Sequence, residues 1–262
     1  MRSLAELSID IAQSRCNTRN RAMETLVETL YQRLRLDIVE CSLNPGKAFS
    51  EAGLGRLYDA GRTPVREACR RLEHEGLMRI TPFRGYAIAP LSVSEFQDLE
   101  EMQLIFEPAA AALAAERISP QEIEELRALA RAEYRVDDKA SYREFIRANY
   151  QLHCLIAQAT RNIRLSDIIA NIHIRLMRFF YLGLSFEAHG HTLSNEHIVL
   201  VNAIAARDPR AARRKAADHV TRAIARSATM LKGAIRFGEA VFESVPAGNT
   251  SPVRVSKPRR GK

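Results

Sequence analysis

The stretch "GRTPVREACRRLEHEGL", residues 61–77, carries three arginines at intervals of four residues: Arg62, Arg66 and Arg70. Side chains four residues apart lie on the same face of an α-helix, so these arginines would form one cationic face. The opposite face would be formed by Val65, Ala68, Cys69 and Leu72. Such a helix is either an ordinary solvated surface or a surface that binds a polyanion, and the arginines alone do not distinguish the two.

The composition of the whole chain favours a polyanionic partner. The 262 residues carry a formal net charge of +8, and the sequence pI is about 9.6. An excess of positive charge is typical of proteins that bind nucleic acid. The length predicts one large domain or two domains of ordinary size, and a hydrophobic content of 46% is ample for a packed core.

The chain shows no pattern of export or membrane insertion. The first twenty residues lack the apolar core of a signal peptide, and no run approaches the roughly 18 apolar residues that a membrane span needs. The cysteines are far apart and form no CxxC pair, which favours buried free thiols in a reducing compartment. They are Cys16, Cys41, Cys69 and Cys154. We therefore expect a soluble cytoplasmic protein with no membrane partner.

The residues around the arginine-rich stretch predict a compact set of helices. We expect a flexible arm over residues 1–20 and a helix over Arg21–Glu40, which ends at the breaker "NPG", residues 44–46. A short helix from Ser50, its N-cap, to Tyr58 follows. Residues 59–61 then form a tight turn into the arginine-bearing helix.

Two extended runs after this helix, Leu77–Thr81 and Tyr86–Ala89, predict a β-hairpin with its turn near Arg84 and Gly85. The order is helix, helix, turn, helix, hairpin, which is the order of a winged helix–turn–helix. In that motif the second helix of the helix–turn–helix enters the major groove. Arg84 at the wing tip would then lie beside the minor groove, and Gly85 would let the backbone approach the sugar–phosphate chain.

The rest of the chain predicts a mainly α protein. From Ser94 to about Phe242 the periodicity is helical, and breaker residues divide it into six or seven helices of bundle length. Pro108 predicts a kink or a restart in the first of them. The predicted domains are the winged helix–turn–helix over 21–90 and an all-helical domain over 91–240. A disordered basic tail covers 241–262.

Residues 21–90 resemble the winged helix–turn–helix of the GntR superfamily of bacterial transcription regulators. The resemblance rests on "LNPG" (43–46), "RTPVREA" (62–68), "LEHEGL" (72–77) and "FRGYAI" (83–88). It implies that Arg62 and Arg66 make the main DNA contacts, assisted by Thr63, Arg84 and Gly85. Arg70 and Arg71 lie further along the helix, where a phosphate contact or simple solvation is expected.

Two positions depart from the family pattern. Gly61 stands where the family usually has a small hydroxyl residue, and Asp59 stands in place of the turn glycine. Loss of the hydroxyl removes a capping side chain at little cost to the helix, because glycine is itself a tolerated N-cap. It also removes a group that often touches phosphate, so the base preference of this chain is expected to differ.

Four residues of the helical domain could form a metal site. Asn149 and His153 are one turn apart on a predicted helix, His197 lies near the start of a later helix, and His219 lies in the helix after that. Packed antiparallel helices can bring such side chains together inside a bundle. Three neutral imidazoles and an amide oxygen would suit Zn²⁺ or Ni²⁺. The spacing alone is a weak pattern, because hydrogen-bonded core or surface histidines would have it too.

Residues 94–235 resemble the all-helical FCD-type effector domain of the FadR subfamily. The resemblance rests on "FEPAAAALAAERIS" (106–119), "NYQLHCLIAQAT" (149–160), "EHIVLVNAIAARDP" (196–209) and "ADHV" (217–220). It implies that Asn149, His153, His197 and His219 hold a divalent metal ion. Gln103 replaces an arginine that often helps to hold a carboxylate effector in this family. Arg175 and Arg178 are further candidates for effector contacts.

These patterns predict a homodimeric transcription factor, expected to be a repressor, that binds a two-fold symmetric operator. A small organic acid bound at the metal would control DNA binding. One alternative is a metal-free regulator whose histidines bind the effector directly. Another is a metal-dependent enzyme with three histidine ligands, for which Glu196 is the carboxylate candidate for a general base.

Overall fold

The structure is a computed structural model that describes residues 26–81, 85–135, 138–182 and 190–236. The predicted arm over 1–20, the predicted tail over 241–262 and Arg84 lie outside these residues. The N-terminal head consists of α1 (Leu26–Val39), β1 (Ala48–Phe49), α2 (Glu51–Tyr58), α3 (Arg62–His74), β2 (Met78–Thr81) and β3 (Gly85–Ile88). The bundle consists of α4 (Val93–Arg117), α5 (Pro120–Ala130), α6 (Lys139–Ala159), α7 (Ile163–Tyr181), α8 (Gly190–Ala205) and α9 (Pro209–Arg236).

The predicted start and end of α2 are confirmed. The Ser50 hydroxyl accepts a hydrogen bond from the backbone N–H of Gly53, as an N-cap does. The helix ends at Asp59, which has left-handed backbone angles of φ 51° and ψ 52°. Aspartate is one of the few residues besides glycine that adopts this conformation readily. The departure at this turn is therefore compatible with the geometry that a turn glycine would supply.

The arginine-bearing helix α3 is amphipathic, as the sequence predicts. Arg62, Arg66 and Arg70 are exposed. The buried residues are Val65, Ala68, Cys69 and Leu72. This apolar face packs against α1 and α2, so the arginine face is turned away from the core of the head.

The hairpin is also confirmed, and it gains a third strand that the sequence analysis missed. β3 pairs antiparallel with β2 on one side and with β1 on the other. β1 has only two residues, too few to show an alternating pattern. The short strand β1 explains why residue 85 is a glycine. Gly85 has a φ of +99°, and a Cβ atom at this position would lie 2.5 Å from the carbonyl oxygen of Phe49 in β1. The glycine is therefore required by the sheet itself.

The bundle has six helices in the described part of the chain, within the predicted six or seven. Its central helix α4 runs for 25 residues and contacts α6, α7, α8 and, most extensively, α9. Of the predicted kink or restart at Pro108, the restart is wrong, because α4 continues through this residue. A proline deprives only one carbonyl of its helical partner. That carbonyl belongs to Leu104, which is exposed, so water can satisfy it.

One hydrophobic cluster extends from the head into the bundle. Head residues such as Leu34, Ile38 and Leu72 belong to the same cluster as Tyr150 of α6 and Ile174 of α7. Polar contacts cross the same boundary, including a hydrogen bond of 3.2 Å from the Asn171 side chain to the carbonyl oxygen of Glu75. The head is therefore fixed to the bundle by a continuous core.

Gly85→Ala should destabilise the protein by about 2–3 kcal/mol, because alanine meets both an unfavourable φ and the Phe49 carbonyl. Gly61→Ser is the matched control, because its Cβ would meet only ordinary contacts with Pro64, 3.8 Å away or more. The serine adds a capping hydroxyl and should stabilise by a few tenths of a kcal/mol. Chemical denaturation of both variants measures the difference. Equal stabilities would contradict the close approach at Gly85.

Candidate functional site

The exposed face of α3 has the composition of a nucleic-acid contact surface. Arg62, Thr63, Arg66 and Arg70 are all exposed on this helix. The N-cap Gly61 makes no side-chain capping hydrogen bond. The first backbone N–H groups of α3 therefore have no side-chain cap and can donate to a phosphate oxygen. Arginines beside such a helix start can reach phosphates and guanine edges.

Arg66 is held by an acidic partner in the free protein. Its Nη2 atom lies 3.1 Å from Oε2 of Glu51, at the start of α2. The hydroxyl of Tyr86 on the wing donates to the same oxygen over 3.3 Å. The Arg66 side chain is still 55% exposed, so it can leave this pair when a stronger anion approaches.

Arg71 has a structural role instead of the expected phosphate contact or solvation. Its Nη1 atom lies 2.6 Å from Oε2 of Glu28, and its guanidinium lies 3.7 Å from the ring centre of Tyr31. Both partners belong to α1. Arg71 therefore fastens α3 to α1 by an ion pair and a cation–π contact.

Three of the four predicted metal ligands come together in the bundle. His153 of α6, His197 of α8 and His219 of α9 are buried, and one ring nitrogen of each lies within 4.8 Å of the others. The ring centres of His197 and His219 are 4.8 Å apart. Asn149, one turn before His153, lines the cavity that adjoins this cluster.

Two carboxylates orient these imidazoles. Nδ1 of His153 lies 2.9 Å from Oε2 of Glu107, and Nδ1 of His219 lies 3.0 Å from Oε2 of Glu196. Metal-binding histidines commonly use one ring nitrogen for such an outer contact and the other for the metal. In His153 and His219 the ring nitrogen that remains for a metal ion is therefore Nε2.

Burial lowers the pKa of all three histidines, and that of His197 falls well below the ordinary value. The imidazoles are therefore neutral at neutral pH, which is the form that binds a metal ion. Nε2 of His197 is buried and has no hydrogen-bond partner among the described residues. A buried polar atom without a partner is costly, and a metal ion would satisfy it. The residues present thus fit a divalent ion with nitrogen preference.

A second buried group was not predicted. The Glu107 carboxylate accepts a hydrogen bond of 2.8 Å from the Gln103 amide and lies 2.8 Å from Nε2 of His173. The rings of His153 and His173 stack with centres 4.2 Å apart. Burial alone would raise the pKa of Glu107, but the two imidazoles lower it well below the usual range. The donors of Glu107, His153 and His173 also lie close enough for a metal. They already bond to one another, so the three-histidine group is the better fit.

A cavity of about 80 Å³ adjoins the histidine cluster, and Gln103 is among its lining residues. This volume has room for several waters or a small organic molecule. Polar residues at the cluster line the cavity, including Asn149, His153, His173 and His219. The rest of the lining combines aromatic and aliphatic side chains with Glu100, Arg226 and Ser227.

The two arginines predicted to contact an effector require a correction, because neither lines this cavity. Arg175 forms an ion pair of 2.6 Å with Glu95. Arg178 is fully buried and donates through Nη2 to the carbonyl oxygen of Ala89, at the end of the head. Both arginines lie on the part of α7 that packs against the head, and periodicity alone could not show which neighbour this part of the helix meets.

Glu196 is poorly suited to act as a general base. It accepts hydrogen bonds from Arg222 over 2.7 Å and from Arg226 over 2.9 and 3.0 Å, in addition to its contact with His219. Burial would raise the pKa of Glu196, but these partners hold it well below the usual range. A carboxylate this strongly stabilised has little affinity for a proton.

The comparisons with known proteins agree with this architecture. Residues 26–88 match the model of "Bacterial regulatory proteins, gntR family", and residues 98–222 match the FCD domain. The chain belongs to the GntR family. It is 25% identical over 193 residues to the HTH-type transcriptional repressor RspR of Escherichia coli K12. The aligned region covers 74% of this chain and 85% of RspR.

Two solved structures share the fold of this GntR-family chain. E. coli McbR/YncC covers 80% of this chain and 100% of its own, with a TM-score of 0.66 and 19% identity. The match with a GntR transcriptional regulator from Rhodococcus sp. RHA1 covers 79% of this chain and 97% of that regulator, with a TM-score of 0.62 and 19% identity. The matches to the two domain models show that the chain is a DNA-binding transcription regulator of the GntR type. Among the residues that were described, no helix is long and apolar enough to cross a membrane.

Glu51→Gln should increase DNA affinity by about three- to tenfold, because it frees Arg66 and removes a carboxylate that would face phosphates. Glu67→Gln is the control, since Glu67 is exposed on α3 and forms no ion pair among the described residues. Fluorescence anisotropy with a duplex selected from a random pool measures both. The same gain in both variants would show that the Glu51–Arg66 pair does not compete with DNA.

Proposed function

We propose that this GntR-family protein is a cytoplasmic, homodimeric repressor that a small organic acid releases from its operator. The acid would bind beside a divalent metal ion, Zn²⁺ or Ni²⁺, inside the helical bundle. The observation that carries the proposal is the buried set of His153, His197 and His219, with Nε2 of His197 lacking a partner among the described residues. Asn149 would supply a fourth, oxygen ligand.

The composition of the site supports an acidic effector. The proposed ligands are three neutral imidazoles and one neutral amide, so no ligand atom would neutralise a bound metal, and only the Glu107 carboxylate behind His153 would offset part of its charge. A metal held by protein ligands with an open position can bind a carboxylate oxygen. Gln103 offers no charge, so the anion would depend mainly on the metal.

The exposed face of α3 supports a specific role for its arginines. Arg62 and Arg66 lie in the first two turns, where a helix that enters the major groove reaches base edges. Thr63 and Arg70 would contact phosphates, and the wing residues Arg84 and Gly85 would follow the backbone. Two heads in a dimer would place two such helices in successive major grooves, which requires a two-fold symmetric operator.

The effector would act by changing how the two heads are spaced. Regulators of this family bind DNA operators and generally act as dimers. Coupling between two sites is typically worth about 1–3 kcal/mol, enough to change operator affinity by about 5- to 150-fold. Residues of the cavity wall, including Tyr142 and Phe145, belong to the cluster that holds the head. This contiguity supports an effect of the bound acid on the head.

Arg66→Ala should reduce operator affinity by about 100-fold at physiological salt and bring it close to the affinity for random DNA, because a base contact is lost. Arg70→Ala is the matched control, which should weaken all duplexes by a similar and smaller factor and reduce the salt dependence by about one phosphate contact. Anisotropy titrations of selected and random duplexes measure both. Retained discrimination in Arg66→Ala would contradict the docking of α3.

The double variant His153→Ala with His197→Ala should lose the metal ion. We expect elemental analysis of the wild-type protein, after addition of Zn²⁺ or Ni²⁺ and removal of excess, to give about one ion per chain. His74→Ala is the control, because His74 is exposed in the head and should leave the metal content unchanged. The absence of stoichiometric metal in the wild type would favour the alternative regulator, whose histidines bind the acid directly.

A further inference from the structure

The cavity beside the histidine cluster has a second buried carboxylate, Glu100. It lies on α4, seven residues before Glu107, which is about 10 Å along a helix axis. Both glutamates are buried, with 8% and 5% exposure. Glu107 is bonded to the histidines, whereas Glu100 lies two turns earlier on α4 and lines the cavity. The cavity therefore has a histidine end and a Glu100 end.

Glu100 has no cationic partner among the side chains that the structure describes. Among the described residues no ion pair joins it to a lysine, arginine or histidine. Arg226, the arginine that lines the cavity, is already paired with Glu196 through two nitrogens. Burial raises the pKa of Glu100 to about 7, and the nearby Ser227 hydroxyl offsets only part of this effect. A buried carboxylate of this kind is stabilised strongly by any cation that enters the cavity.

Five aromatic side chains besides the histidines line the same cavity. The aromatic lining residues are Phe96, Tyr134, Tyr142, Phe145 and Phe180. Aromatic faces attract cationic nitrogens and exclude water from them. A cation near Glu100 would therefore stabilise the ionised form of that carboxylate and would also meet aromatic rings.

We propose that the effector is an amino acid whose carboxylate lies at the metal and whose ammonium group is held by Glu100. This inference rests on the proposed function, because the carboxylate end of the effector depends on the metal. The separation along α4 favours a molecule in which the two groups are several bonds apart, so that one end reaches each end of the cavity.

Two other classes of acid fit the cavity less well. A dicarboxylate would bring its second carboxylate beside Glu100, so that one of the two groups must take up a proton or the two charges repel each other in poorly solvated surroundings. An alkyl monocarboxylate would displace water from Glu100 without replacing its hydrogen bonds. Glu100 is thus a specificity-determining residue, and the three classes differ only in the group that faces it.

Calorimetric titration of the metal-loaded protein tests this inference with two isosteric sets. The first is 4-aminobutanoate, pentanoate and glutarate, and the second is 5-aminopentanoate, hexanoate and adipate. Within at least one set the amino acid should bind about tenfold or more tightly than either analogue. Glu100→Gln, which keeps the shape of the side chain, should abolish that preference. Glu101→Gln should retain it, because Glu101 is the exposed neighbour.

The outcomes separate this inference from the proposed function. If an alkyl acid or dicarboxylate binds as tightly as its amino acid, or if the preference survives in Glu100→Gln, the role of Glu100 is overturned. Binding that still requires the metal would leave the proposed function intact. Equal binding to the variant lacking both His153 and His197 would overturn the metal-dependent function and leave the role of Glu100. No binding of any probe to the wild type would overturn both.

Discussion

The hydrophobic cluster shared by the head and the bundle is the constraint on which the rest of the molecule depends. Leu34 and Leu72 of the head pack in the same core as Tyr150, Ile174 and Met177 of the bundle. Protein cores are close-packed and do not deform continuously, so the bundle fixes the direction in which α3 presents its arginines. The head is therefore oriented by residues that lie outside the DNA-binding motif.

Helix α6 connects this cluster to the candidate metal centre. Phe145 and Tyr150 belong to the cluster, while Asn149 lines the cavity and His153 faces the other histidines. A ligand that moves α6 would move both sets of residues, because they share one rigid element. Contact by itself is not energetic coupling, which requires an element with two arrangements whose balance the ligand changes. Helix α6 is the element that the hydrophobic cluster and the candidate metal centre share most directly.

The sequence predicted what depends on local periodicity and missed what depends on distant partners. The two faces of α3, the Ser50 cap and the hairpin follow from nearby residues, so they could be predicted. The resemblance to FCD domains identified three histidines that the structure brings together. The contact of His173 with Glu107 joins residues 66 positions apart, and no spacing rule indicates it. The same reason explains Arg178, whose burial is decided by the head that packs over α7.

Arg178 makes an unfavourable contribution at the boundary between the head and the bundle. Its guanidinium is fully buried, yet Nε and Nη1 have no hydrogen-bond partner among the described residues. Burial lowers the pKa of Arg178, but arginine keeps its charge, so the cost of removing it from water persists. The apolar cluster must offset that cost for the head to stay docked. Apolar packing and the desolvation cost of Arg178 oppose each other at the same boundary. Their difference is the net free energy of docking the head, and a change of a few kcal/mol in the bundle is large relative to it.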